Sequence, residues 1–131
     1  YTAYDTEDTL GEVFPALVGA SFNYKASTRS YASLTLLQAL SLKGGTDLAG
    51  AMEILLRAGT AALLNASFHM EMHGTVEGYY PYTPAEIIAL VNTQITSGDR
   101  ASILALAYEL DGYNNGDHYI EWWWEPGEFL P

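Results

Sequence analysis

Asp47-Leu-Ala-Gly-Ala-Met-Glu-Ile-Leu-Leu-Arg-Ala-Gly-Thr-Ala-Ala-Leu-Leu-Asn-Ala66 is the stretch on which the fold turns. It reads as one long helix, capped by Thr46 or Asp47 and running to about Ala66. Leu48, Met52, Leu55, Leu56, Ala62 and Leu63 form its apolar set. Glu53 and Arg57 sit four apart in the order that favours a pair on one helix face. The rest is apolar all round and rich in Ala and Gly. A helix of that kind is central, with close neighbours on several sides. The two charges near its middle argue against a membrane span.

Upstream, Gly44-Gly45 closes a helix opened by the capping box Thr35-Leu-Leu-Gln38, whose apolar residues are Leu36, Leu37 and Leu40. Residues Gly19 to Ala32 show no period and read as a loop. Before them, Thr9-Leu-Gly-Glu12 fits another capping box, with Leu10, Val13 and Phe14 as a short apolar face and Pro15 as its stop. Downstream, Thr83-Pro-Ala-Glu86 combines a cap, a proline at the first helical position and a closing glutamate. Ile87, Ile88, Val91 and Ile95 then form a buried stripe, and Gly98 stops the helix. Asp99 caps the last helix, whose Ile103, Leu106, Ala107 and Leu110 face inward before Gly112 ends it. The two-residue junction implies an antiparallel pair. The expected fold is all-α: a compact bundle of four to five helices, with an irregular N-terminal segment and an extended aromatic C-terminal tail. Residues 1–116 make the helical domain and residues 117–131 the acidic, aromatic tail.

The 131 residues suit one domain, and about half are apolar, enough for a self-supporting core. Five Lys and Arg against sixteen Asp and Glu give a net charge of −11. That balance repels nucleic acid and anionic membrane surfaces, and it leaves proteins, neutral glycans and cations as partners. With no cysteine, disulfides, thiolate metal sites and a cysteine nucleophile are excluded. No signal peptide is visible, and a start at Tyr1 reads as a processed or truncated chain.

Few motifs point to chemistry. His69 and His73 are four apart, the spacing of a shared zinc, and His118 is a third ligand if the tail folds back. The zincin pattern needs Glu directly after the first His, and Met70 stands there, so a polar helix exit is the simpler account. Asp111-Gly-Tyr-Asn-Asn-Gly-Asp117 has calcium-loop oxygens in Asp111, Asn115 and Asp117. However, Tyr113 and Trp122 occupy the positions where an EF-hand requires an oxygen side chain and a glutamate. A helix end followed by a turn is the plainer reading, with Ca2+ as the alternative and no other cofactor expected. Asn65-Ala-Ser67 fits the N-glycosylation acceptor pattern, against a polar helix face or cap. No nucleophile elbow and no phosphate-binding glycine loop occurs, so no catalytic activity is expected.

The tail stands apart. Trp122, Trp123 and Trp124 are consecutive, with Tyr119 and Phe129 nearby. In an extended segment Trp122 and Trp124 share one face and Trp123 takes the other, so one small core does not bury all three. Large apolar rings in water mark an interaction site. Packing on the chain's own helices, docking on a second copy and stacking on sugar rings are the competing readings.

Several stretches together resemble the helical C-terminal modules of large secreted and cell-surface bacterial and archaeal proteins. They are Thr9-Leu-Gly-Glu-Val-Phe14, Leu34-Thr-Leu-Leu-Gln-Ala-Leu40, Ile54-Leu-Leu-Arg-Ala58, Ala61-Ala-Leu-Leu-Asn-Ala66, Tyr80-Pro-Tyr-Thr83, Ile87-Ile-Ala-Leu-Val-Asn92, Ser97-Gly-Asp-Arg100 and Leu110-Asp-Gly-Tyr-Asn-Asn-Gly116. Together they cover roughly residues 9 to 116. Those modules often begin with a Gly-Tyr-Trp-Lys-Asn-His-Pro segment and end near a Cys-Pro. This chain lacks both, which points to an upstream part missing or replaced and to a tail of its own. The resemblance implies a secreted or cell-surface, non-catalytic role and carries no functional residues with it. The expected function is therefore an extracellular structural protein that self-associates, with a filament as the extended form. Trp122, Trp123, Trp124, Tyr119 and Phe129 are the expected contacts. The alternative is a carbohydrate- or cell-wall-binding module.

Overall fold

A computed structural model describes residues 4–73 and 80–115, and for residues 69–73 the backbone alone. Among these residues the elements run α1 (Leu10–Val13), a 3-10 turn (Pro15–Leu17), β1 (Phe22–Tyr24), β2 (Ser27–Arg29), α2 (Leu36–Ala39), α3 (Leu48–His73), α4 (Pro84–Ser97) and α5 (Arg100–Asn114). The chain is mostly helical, as expected, with one small antiparallel sheet that the sequence reading did not include.

Helix starts follow the local code. Thr9 Oγ1 accepts the Glu12 amide at 3.3 Å, and Glu12 Oε1 accepts the Thr9 amide at 2.9 Å. Thr35 and Gln38 repeat the exchange at 3.1 and 2.9 Å, and Thr83 and Glu86 at 3.2 and 2.8 Å. Each box satisfies amides that the first turn leaves without partners. Asp47, not Thr46, caps α3, accepting the Gly50 amide at 2.8 Å. Asp99 accepts the Ser102 amide at 3.1 Å, and Gly98 ends α4 in the left-handed region at φ 63°. The first two boxes also meet side by side. Thr9 and Thr35 pair as a β-bridge, and the Leu10 and Leu36 amides donate to Leu34 and Asp8 carbonyls.

Element lengths depart from expectation in four places. The supposed loop Gly19–Ala32 contains the β1–β2 hairpin, in register Phe22 with Arg29 and Tyr24 with Ser27. Its turn holds Lys25 at φ 53°, without the Gly or Asn that would announce it. Helix α2 ends at Ala39 rather than at Gly44-Gly45, and Leu37 is exposed. The chain after it leaves helical geometry to deliver the Gly44 amide and the Leu42 carbonyl to α3 side chains. Helix α3 runs past Ala66 to His73, because no breaker intervenes before Gly74. Helix α5 passes through Gly112 to Asn114, held by contacts of Tyr113 and Asn114 described below.

Helix α3 is central. It packs against α4, α5, α2 and β1, and α4 and α5 pack on each other. Met52, Leu55, Leu56, Ala62 and Leu63 are fully buried, as are Leu10, Phe14, Leu17, Ile87, Val91, Ile103 and Leu110 around them. Each such Leu or Ile contributes about 1.5–3 kcal/mol. Gly59 makes room for α4, since a Cβ there would stand 3.1 Å from Val91 Cγ2. Among the described residues, no helix is long and apolar enough to cross a membrane.

Candidate functional site

The last turn of α5 and the segment entering α4 form a tyrosine–asparagine cluster at the root of the tail. Tyr113 and Asn114 come from α5, and Tyr80 and Tyr82 from the residues before the Thr83 cap. Asn114 is the hub. Its Nδ2 donates to the Ala58 carbonyl at 3.0 Å, and its Oδ1 accepts Tyr80 Oη at 2.8 Å and Asn65 Nδ2 at 3.3 Å. Tyr113 meets Tyr80 and Tyr82 edge to face, at centroid distances of 6.1 and 5.9 Å.

Tyr80 is buried, whereas Tyr82 and Tyr113 are half-buried and Glu109 is exposed. The Tyr82 and Tyr113 hydroxyls both donate to Glu109 Oε2, at 2.5 and 3.1 Å. That carboxylate, ahead of burial, pushes the Tyr82 phenol well above its ordinary value. For Tyr113 burial comes first and the same carboxylate adds to it. Tyr108, on the same helix, is 61% exposed. The arrangement offers aromatic faces beside a carboxylate acceptor.

A second polar node lies under the hairpin. Glu53 is 5% exposed, yet its carboxylate accepts Tyr31 Oη at 2.7 Å, Arg29 Nη1 at 2.9 Å and the Gly44 amide at 3.2 Å. Burial alone raises this carboxyl. The bonds from Tyr31 and Gly44, with the Arg29 guanidinium, outweigh burial and hold it below its ordinary value. Arg29 also lies over the Tyr24 ring at 3.5 Å from the centroid. The expected Glu53–Arg57 pair does not form: Arg57 Nη1 donates to the Leu42 carbonyl at 2.8 Å. A carboxylate this buried takes the partners that enclose it, and a surface pair along one helix is worth little by comparison.

Tyr119, Trp122, Trp123, Trp124 and Phe129 lie outside the described residues, as do Asp117 and His118. His69 and His73 stand on the last turns of α3, where only the backbone is described. Asp111 to Asn114 are helical, and Asn115 follows them as the C-cap, so the first four positions of the proposed calcium loop belong to α5. Among the described residues, no group of three or more His, Asp or Glu could hold a metal ion. Asn65 lies within α3, bound to Asn114, and Ser67 of the same triplet is buried. An open cleft of about 330 Å3 is lined by Tyr4, Asp8, Glu12, Val13 and Ile88. Asp8 and Glu12 are engaged there with the Asp5 and Thr9 amides.

Sequence reasoning gave no role to Tyr80, Tyr82, Glu109, Tyr113 or Asn114. Their only signal is tyrosine density around Thr83 and Asn114, which does not say that two segments 34 residues apart converge on one amide. The chain matches no protein-family model, no curated protein and no solved structure.

Proposed function

We propose that this chain is an extracellular or cell-surface structural protein, non-catalytic, whose copies associate through the aromatic segment 117–131. Trp122, Trp123, Trp124, Tyr119 and Phe129 supply the contacts, and a filament is the extended assembly. One observation carries the reading: among the described residues, the helical body caps its own helix starts and ties down its last turn. Side chains of Thr9, Thr35, Asp47, Thr83 and Asp99 cap the five helix starts, and Asn114 ties the last turn of α5 back to α3. The three consecutive indoles follow in sequence only after that last turn. Large aromatic surfaces added to a finished element suit an intermolecular contact. The resemblance to helical modules of secreted and cell-surface bacterial and archaeal proteins supports the same compartment and role.

The test is light scattering on the full chain over a range of concentrations, against Trp122→Ala/Trp123→Ala/Trp124→Ala. The wild type is expected to exceed monomer mass and the triple variant to return to it, with unchanged circular dichroism. A wild type that stays monomeric throughout rules the proposal out.

The cluster of Tyr82, Tyr113 and Glu109, with Tyr108 exposed beside it, favours a second reading as a carbohydrate- or cell-wall-binding module. Aromatic faces suit sugar C–H groups, and the carboxylate accepts sugar hydroxyls. This reading expects retention on a glycan array, lost in Trp122→Ala or Trp124→Ala. An array without hits removes it.

A further inference from the structure

Charge is unevenly placed along the chain. The five basic residues are Lys25, Arg29, Lys43, Arg57 and Arg100. The structure gathers the first four at the hairpin end of α3. Lys25 Nζ and the Arg29 guanidinium both lie against the Tyr24 ring, at 5.3 and 3.5 Å from its centroid. The Lys25 amide donates to Asp47 at 3.2 Å, and Arg57 reaches the Leu42 and Lys43 carbonyls at 2.8 and 3.4 Å. Two acids bond into this end, and both are engaged internally. Asp47 caps α3, and Glu53 holds Arg29, Tyr31 and Gly44. Lys25 and Lys43 are exposed and make no ion pair among the described residues. On a chain of net charge −11, this end is a local excess of cations.

The segment 117–131 is its complement. It carries Asp117, Glu121, Glu125 and Glu128, has no Lys or Arg, and places Glu121 and Glu125 on either side of the three Trp. We infer that the hairpin end, through Lys25, Lys43 and the Arg29–Tyr24 stack, receives the acidic Trp segment of a second copy. This rests on the self-association reading above and names the surface it lacked. Lysines meet the flanking glutamates, and a guanidinium plane already stacked on a ring suits a neighbouring indole. The two surfaces differ, so the contact is head to tail and repeats into a ring or an open filament. Exposed charges of this kind lose strength as salt screens them.

Charge exchange tests it on the full chain. Lys25→Glu/Lys43→Glu and Glu121→Lys/Glu125→Lys are each expected to weaken association by about ten-fold or more when studied alone. An equimolar mixture of the two is expected to restore it, because each reversed end then meets a reversed tail. Both lysines are exposed, so circular dichroism should not change. Should the reversal disturb the fold, Lys25→Gln/Lys43→Gln is expected to weaken association to a smaller degree, and no weakening there overturns the inference. Unchanged association in either reversed variant also overturns it, as does a mixture that fails to recover. In those cases loss of association in the triple Trp variant leaves the self-association reading standing. A wild type that is monomeric throughout removes both.

Discussion

Tyr31 donates its hydroxyl to Glu53 Oε2 at 2.7 Å, and the two residues are 3% and 5% exposed. The bond joins the segment after the hairpin to the central helix. Arg29 and the Gly44 amide close on the same carboxylate, so four parts of the chain meet at one group. A buried carboxylate is tolerated only when its oxygens are used in this way.

Removing Glu53 is therefore the costliest change at this node. Glu53→Ala leaves the Gly44 amide unpartnered and the Tyr31 hydroxyl with only the Ala49 carbonyl at 3.4 Å, and is expected to destabilise by about 3 kcal/mol. Tyr31→Phe is expected to cost about 1.5 kcal/mol. Arg29→Ala should cost least of the three, since its side chain is 43% exposed and water replaces the pair. Urea midpoints check the order. An Arg29→Ala cost equal to that of Glu53→Ala contradicts it.

Acid should weaken the same node. The Glu53 carboxyl titrates below its ordinary 4.5 in the folded chain, so the unfolded chain binds more protons in that window. Its contribution is present above about pH 4.5 and is lost as pH falls through the lower folded value. Acidification also relieves repulsion within a chain of net charge −11, which masks the loss in the wild type alone. The readout is the stability difference between wild type and Glu53→Gln. It should be constant near neutrality and shrink below pH 4.5, and a difference that stays flat to pH 3 counts against the assignment.

Gly50 lies in the first turn of α3, where alanine ordinarily gains about 1 kcal/mol over glycine. Here a Cβ would stand 2.3 Å from the Gly45 carbonyl carbon and 2.4 Å from its Cα and amide nitrogen. Gly50→Ala is expected to destabilise by about 2 kcal/mol or more, because backbone must move. Gly98→Ala meets nothing within 4 Å and suffers only from its φ of 63°, about 1 kcal/mol. A thermal melt in which Gly50→Ala is the more stable of the two refutes the close approach.

At the tail root, Asn114→Ala removes both the donor to Ala58 and the acceptor for Tyr80 and Asn65. A loss of about 2 kcal/mol is expected, against less than about 1 kcal/mol for Asn65→Ala. In alkali, Tyr82 and Tyr113 keep their protons beyond the ordinary value of 10.0. Their contribution is intact below pH 10.0 and is lost as pH rises further, when the unfolded chain releases protons first. Ultraviolet titration should show their phenolate signal delayed in the folded chain, and Glu109→Gln should advance it. A signal at the ordinary pH in the wild type contradicts the shared carboxylate.

The helix starts were legible because each is written within four residues. Thr9 with Glu12, Thr35 with Gln38, Thr83 with Glu86 and Asp99 with Ser102 are local exchanges, so side-chain type and spacing suffice. The all-round apolar character of Leu48–Ala66 likewise announced a central helix, since such a surface must be covered. The hairpin, the early end of α2 and the passage of α5 through Gly112 answer to other bonds. Arg29 reaches Glu53 across 24 residues, and Asn114 reaches Ala58 across 56. A three-residue strand with one buried side chain has too little pattern to be read, and it is held by what lies beneath it. Capping chemistry and apolar coverage were thus properties of the sequence. The partners of its buried charge and the meeting of its tyrosines were decided only in the tertiary structure, because a buried polar group takes whichever donor the fold brings within about 3 Å.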